Sequence, residues 1–205
     1  MRIRITFAKV GALRYTGHLD LHRLWERAAR RAELPLAYSQ GFHPQPKLTI
    51  AAALPLGFSS RCEVLDMRLE HEISLEGLRE KLQETLPTGI QVANVESVDE
   101  KLPALQTLVA SAEYQVSLTE PVDSSELKRR VDSVLESGSL IRERRGKTYD
   151  LRPLIEMLSL ETDGRIFMKL AAREGATGRP EEVLDVLGIA FESTRIERTQ
   201  LIFKA

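Results

Sequence analysis

Residues 2–32, RIRITFAKVGALRYTGHLDLHRLWERAARRA, change their hydrophobic period partway along. In the first seven, Ile3, Ile5 and Phe7 alternate with Arg2, Arg4 and Thr6, the period-two pattern of a half-buried strand. Gly11 breaks that pattern. From His18 onward Leu21, Leu24, Trp25, Ala28, Ala29 and Ala32 recur at the spacing of one helical face. Thr16 or Gly17 is placed to cap this helix and Pro35 to stop it. A strand followed by an amphipathic helix is the opening of a β-α unit, and the rest of the chain is read against it.

Leu48–Ala53 reads as the next strand and Arg61–Leu69 as a third, with Cys62, Val64, Met67 and Leu69 apolar. A helix is expected from Ser74, lined by Leu75, Leu78, Leu82 and Leu86. Ile90–Val98 is a further strand. The order is β-α-β-β-α-β. After a linker over residues 99–106 the order recurs. A strand is expected at Ala112–Leu118 and a helix at Ser124–Glu136. Strands follow at Leu140–Glu143, Leu154–Glu161 and Arg165–Ala171, then a helix from Pro180 and a last strand at Ile196–Phe203. The expected class is α+β, with two tandem ferredoxin-like (βαββαβ) halves over residues 1–103 and 108–205.

Composition narrows the function. The chain has 205 residues, 42% hydrophobic and 29% charged, as expected for a folded soluble protein. No apolar run reaches the length of a membrane span, and the N-terminus has the pattern of no secretory leader. Cys62 is the single cysteine, so no internal disulfide and no cysteine-built metal cluster is expected, and the expected location is cytoplasmic. The net charge of −1 hides an asymmetry. Residues 1–50 carry nine Lys/Arg against three acids, a net of +6, and the remainder carries 20 against 27, a net of −7. A locally basic segment in a neutral molecule implies a confined anion site.

Two features of that segment point to a polyanion. Arg23, Arg27 and Arg30 stand at i, i+4 and i+7, opposite the apolar stripe of the helix. They form either a solvated face or a stripe that tracks phosphates, which guanidinium groups grip at two points. The loop YSQGFHPQPK, Tyr38–Lys47, follows. Gly41 allows a left-handed backbone, and Pro44 and Pro46 stiffen the chain, which lowers the entropy cost of presenting Tyr38, Gln40, Phe42, His43 and Lys47. Rings, hydrogen-bonding tips and an ammonium are what a nucleic-acid site uses. The structural alternative makes Tyr38 and Phe42 core plugs, and for Phe42 taken singly that is the better reading. Arg14 adds a further cation. Tyr15, His18, His43 and Lys47 are candidates for acid–base chemistry. His18 and His22 share a helix face, but Asp20 points about 200° away from His18 and no metal site is assigned. In the second half Arg152, in Tyr149-Asp-Leu-Arg-Pro153, and Arg179, before a helix start, are candidate anion ligands, although a surface arginine explains each equally well. No cofactor is assigned.

The patterns K-x-G-x-L-R-Y-x-G-H-L-D-x-x-R at Lys9–Arg23, R-A-x-R-R-A at Arg27–Ala32 and Y-S-Q-G-F-H-P-x-P-K at Tyr38–Lys47 resemble a family of radical-SAM-linked proteins of unknown function. Y-D-L-R-P at 149–153 and G-R-P-E-E-V-L at 178–184 match it too. That family often has Ser where this chain has Gly17. The resemblance covers nearly the whole chain. It implies a partnership with a radical-SAM, cobalamin-binding-type protein, to which any radical chemistry would belong, since one cysteine cannot hold the cluster. The tandem reading also resembles, at the level of fold, the metal-independent processing endonucleases of CRISPR repeat RNA. Three functions follow as expectations. The favoured one is an RNA-binding accessory module, not catalytic by itself, presenting tRNA or rRNA to the radical-SAM partner. The others are a metal-independent RNA endonuclease using His18 or His43, and a small-anion-binding scaffold that docks the partner.

Overall fold

The computed structural model describes residues 1–204; Ala205, the last residue of the expected second half, lies outside the described residues. The described residues form a mixed α/β protein with five α-helices and a mostly antiparallel sheet, and the chain divides into two compact units, Met1–Val109 and Ala110–Ala205.

In the first unit β1 (Arg2–Lys9) is followed by a 3-10 turn at Gly11–Tyr15 and then α1 (His18–Arg31). β2 (Leu48–Ile50), β3 (Ser59–Arg68), α2 (Leu78–Thr85), β4 (Ile90–Val98) and a short α3 (Leu105–Leu108) complete it. Its strands lie in the order β2-β3-β1-β4, with Ile3 opposite Met67 and Ile5 opposite Leu65. The alternation in β1 decides the layering. Ile3, Ile5 and Phe7 enter one core with Leu21, Trp25 and Ala29 of α1, Leu48 and Ile50 of β2, and Leu78 and Leu82 of α2. Phe7 meets Trp25 edge to face, with centroids 4.8 Å apart. Replacing Trp25 by Ala would cost roughly 3–5 kcal/mol, the range for a buried large aromatic.

On the other face of the sheet Arg2 and Arg4 converge on Asp66 of β3. Arg2 Nε donates to Asp66 at 2.9 Å and Arg4 Nε at 2.8 Å. Asp66 and Arg2 are buried, and the bond to Asp66 holds the Arg4 pKa above its usual value. Arg2 also donates to the carbonyls of Leu102 and Pro103, which ties the segment before α3 to this face.

The second unit consists of β5 (Val109–Leu118, whose first residue closes the first unit), α4 (Ser124–Glu136), a hairpin of β6 (Ile141–Arg144) and β7 (Lys147–Asp150), β8 (Ile155–Leu160), β9 (Ile166–Arg173), the two-residue β10 (Ala176–Thr177), α5 (Pro180–Val186) and β11 (Thr194–Phe203). Without the hairpin and β10, its elements also run strand, helix, strand, strand, helix, strand. They pair in the order β8-β9-β5-β11. Asp123 caps α4 by accepting from the Ser125 and Glu126 amides.

Several boundaries differ from the expected ones for local reasons. α2 begins at Leu78 rather than Ser74, because Gly77 sits at φ 69° and turns the chain just before the helix. Leu105–Leu108 is a helical turn anchored by the fully buried Leu105, so the expected linker holds an element. A single strand was expected at 140–143; a hairpin stands there, turning at Arg145 and Gly146, both with positive φ. Cys62, expected in the core, is half-buried, with its amide donating to Ser60 Oγ at 3.2 Å.

Candidate functional site

α1 presents its polar face to a groove of about 560 Å³ closed on the far side by the end of α2. Arg23, Arg27 and Arg31 line it from the helix, Thr16 and Asp20 from its start, and Glu84, Leu86 and Pro87 from the opposite wall. The apolar stripe creates this arrangement. With Leu21, Trp25, Ala28 and Ala29 committed to the core, positions four apart on the other side must share one exposed face.

The expected trio was Arg23, Arg27 and Arg30; the groove takes Arg31 in place of Arg30. Arg30 is turned aside. Its Nε donates to the Tyr38 hydroxyl at 3.2 Å, its Nη2 pairs with Glu26 at 2.7 Å, and both partners hold its pKa up. Arg30 and Arg31 stand three and four residues beyond Arg27, and helical spacing allows either as the third member; the i, i+4, i+8 choice is the one that lines the groove. Arg23 has Asp20 at 3.5 Å. The Arg27 and Arg31 guanidinium groups make no ion pair or hydrogen bond among the described residues.

The loop at 38–47 is a stiff arm. The Ser39 amide donates to the Gln45 carbonyl at 2.8 Å, the Gln45 amide to Ser39 Oγ at 2.9 Å, and the Lys47 amide to the Ala37 carbonyl at 2.8 Å. Tyr38 and Pro46 bridge, and Gly41 adopts φ 126° at the tip. The tip residues Gln40, Phe42 and His43 are exposed. Phe42 is fully so, at 102%, and is no core plug. Tyr38 is half-buried and packs on the first unit's core while its hydroxyl meets Arg30.

The loop's cation points elsewhere. Leu48 and Ile50 face α1, so Lys47 and Thr49 face the opposite side of the sheet, where they line a separate groove of about 330 Å³ with Arg2, Asp66 and Arg68. Lys47 therefore does not join Arg23, Arg27 and Arg31 on one surface.

His18 is exposed in the first turn of α1, which Gly17 caps without a side chain. Desolvation and then the neighbouring His22 push its pKa below the usual value, against a smaller upward pull from Glu63. His22 Nε2 lies 3.2 Å from the Leu48 carbonyl. No hydrogen bond or ion pair joins His18, His43, Tyr15 and Lys47 among the described residues. Among those residues no cluster of three His, Cys, Asp or Glu is placed to hold a metal ion. Arg14 is engaged with its neighbour: Nη2 donates to the Tyr15 hydroxyl at 3.0 Å, and the guanidinium lies 4.8 Å from the ring centre.

In the second unit Arg152 serves the fold. Arg152 donates to the Leu135 carbonyl at the end of α4 at 2.9 Å and to the Ile155 carbonyl at 3.2 Å. Asp150 accepts the Leu140 and Arg152 amides at 2.8 and 2.9 Å, and these bonds lower its pKa. Gly178 lets the chain pass against Leu154, since a Cβ there would stand 3.1 Å from the Leu154 carbonyl oxygen. The motifs at 149–153 and 178–184 thus build one local structure. Arg144 closes it, with Glu182 at 2.9 Å, the Thr177 carbonyl at 3.0 Å and the Tyr149 ring 4.7 Å away. Arg179 itself is exposed at the start of α5.

Among the described residues no helix is long and apolar enough to cross a membrane. Among solved structures, a chain in the crystal structure of a Cbf5-Nop10-Gar1 complex is similar at 10% identity and a TM-score of 0.47, covering 97% of this chain and 48% of that one. This chain thus spans about half the length of that relative. The crystal structure of an unknown protein from Galdieria sulphuraria is similar at 13% identity and a TM-score of 0.31, covering 100% and 98%. At these scores neither likeness bears on the chemistry. No curated protein matches the chain. A family model does match, over residues 2–180, and the chain belongs to the family described as an uncharacterized protein conserved in bacteria (DUF2344).

Proposed function

We propose that this protein is an RNA-binding module, built of two ferredoxin-like halves, that holds tRNA or rRNA for a partner enzyme rather than acting on it alone. One observation carries the reading: Arg27 and Arg31, with Arg23 beside them, line a groove in which the protein itself gives two of the three guanidinium groups no ion pair or hydrogen bond. Like charges so spaced repel one another by a few tenths of a kcal/mol per pair, and a polyanion relieves that repulsion. The net of +6 over residues 1–50 favours the same ligand, as does the stiff loop with its exposed Phe42 and His43. The partner enzyme is a radical-SAM protein, a part of the proposal that rests on the resemblance in the sequence motifs.

The test is binding of purified protein to total tRNA and rRNA fragments at several salt concentrations. Wild type is compared with Arg27→Ala/Arg31→Ala. Wild type should bind with a steep salt dependence. Each lost phosphate contact should lower the slope of log K against log salt by about 0.7–0.9. Equal affinity and slope in the double variant would remove the groove from the reading.

A further inference from the structure

Next in the chain to two residues that line the groove, large apolar side chains are left exposed. Tyr15, Leu19 and Leu56 are large apolar side chains left 62%, 72% and 59% exposed. Chain connectivity sets the first two beside the lining of the groove. Tyr15 precedes Thr16 and Leu19 precedes Asp20, both of which line it. The Gly57 amide donates to the Arg14 carbonyl at 2.8 Å, which sets Leu56 beside the same turn. The Tyr15 ring is held in place, because Arg14 covers one side at 4.8 Å and bonds its hydroxyl at 3.0 Å. A fixed, exposed aromatic ring beside cations is a stacking platform for a base.

We infer that this site takes an unpaired strand, with a nucleobase on Tyr15 and the phosphates that follow it running along Arg23, Arg27 and Arg31. This rests on the RNA-binding reading above and narrows it to single-stranded segments. Three geometric points support it. Four residues of helix advance about 6 Å, so the arginines repeat at a step close to the separation of consecutive phosphates along a strand. The groove, at about 560 Å³, has the size of a site for one small ligand and is walled on its far side by Leu86 and Pro87, which leaves room for one strand. In a duplex the base faces are hidden within the stack, whereas an unpaired nucleotide offers one to the ring.

The experiment is fluorescence anisotropy of a labelled single-stranded oligoribonucleotide and of the same strand in a blunt duplex. It uses the full chain as wild type, Tyr15→Ala, Tyr15→Phe, Leu19→Ser and Arg27→Ala/Arg31→Ala. Wild type should prefer the single strand. Tyr15→Ala should weaken single-strand binding roughly tenfold with the salt slope kept, because stacking carries no counterion release. Tyr15→Phe, which keeps the ring and loses only the bond to Arg14, should retain most of the affinity, and Leu19→Ser, at another exposed position, should give a smaller loss than Tyr15→Ala. Equal binding of strand and duplex, or unchanged affinity in Tyr15→Ala and Leu19→Ser, overturns this inference. If the double arginine variant still loses binding in that case, the RNA reading survives it. If the double arginine variant binds as wild type does, both fall.

Discussion

Arg27 and Arg31 on α1 face a groove without a protein partner, whereas Arg142 and Arg144 on the β6–β7 hairpin are each met by a carboxylate of α5. Both regions are basic in sequence, the hairpin carrying Arg142, Arg144, Arg145 and Lys147. They differ in what the fold brings up to them. α5 starts with Glu181 and Glu182, favourable at a helix N-terminus, and Glu182 with Asp185 then reaches the hairpin. The wall facing α1 offers the groove one carboxylate, Glu84, and neither Arg27 nor Arg31 bonds to it. A cluster of arginines is therefore evidence for an anion site only where the tertiary structure leaves the guanidinium groups unmatched. Arg152, with its two carbonyl contacts, belongs with the matched group.

The largest effect should come where matching is tightest. Asp66 is buried to 3% exposure beneath Arg2 and Arg4. Asp66→Ala leaves Arg2 as an uncompensated buried charge, and denaturant unfolding should show a loss of roughly 3–5 kcal/mol. A loss under about 1 kcal/mol would mean that water reaches Arg2 and that the pair is not structural. In the second unit Arg144 and Glu182 are less buried, and Arg144→Ala should cost about 2 kcal/mol, the range for hydrogen bonds to a charged group. RNA affinity should stay at the wild-type value. If it fell at constant fold, the distinction between matched and unmatched arginines would fail. Arg27→Ala should do the reverse, changing stability by less than about 0.5 kcal/mol, as expected for a surface position, while altering the salt slope of RNA binding.

Much of this was legible in the chain itself, and the failures have physical causes. The switch from period two to a helical stripe located β1 and α1, since a half-buried strand and an amphipathic helix leave unlike periodicities. The hairpin at 141–150 was hidden because charged residues occupy both its faces, and Arg145-Gly146 is a less obvious turn signal than Asn-Gly. At the site, helical spacing located the arginine stripe but not which member Tyr38 and Glu26 would draw away. Lys47 was grouped with the arginine stripe as part of one basic segment of the sequence. One residue of strand alternation sends it to the other face, a distinction legible only once Leu48 is known to enter the core. In the motif at 178–184 the sequence drew attention to Arg179 as a candidate anion ligand or a surface arginine, whereas the packing role of Gly178 was not legible. Gly178→Ala should destabilise the second unit by pressing on Leu154, with no change in RNA binding.

The smallest effect expected is that of pH through His18. Desolvation and His22 lower its pKa in the folded chain, so between the folded value and the unfolded value of about 6.5 the unfolded chain binds more protons. Stability should therefore be fully present above about pH 6.5 and decline as pH falls through that value towards the folded pKa. Because His18 is exposed enough for solvent to screen it, the decline should be shallow, and His18→Gln should flatten it in unfolding curves taken from pH 7.5 to 5. RNA binding should respond in the opposite sense. Protonated His18 adds a cation at the start of α1, near the Thr16 and Asp20 end of the groove, so affinity should rise modestly as stability falls. Parallel movement of the two quantities would place His18 outside the reach of the bound strand, and the groove would then begin at Arg23.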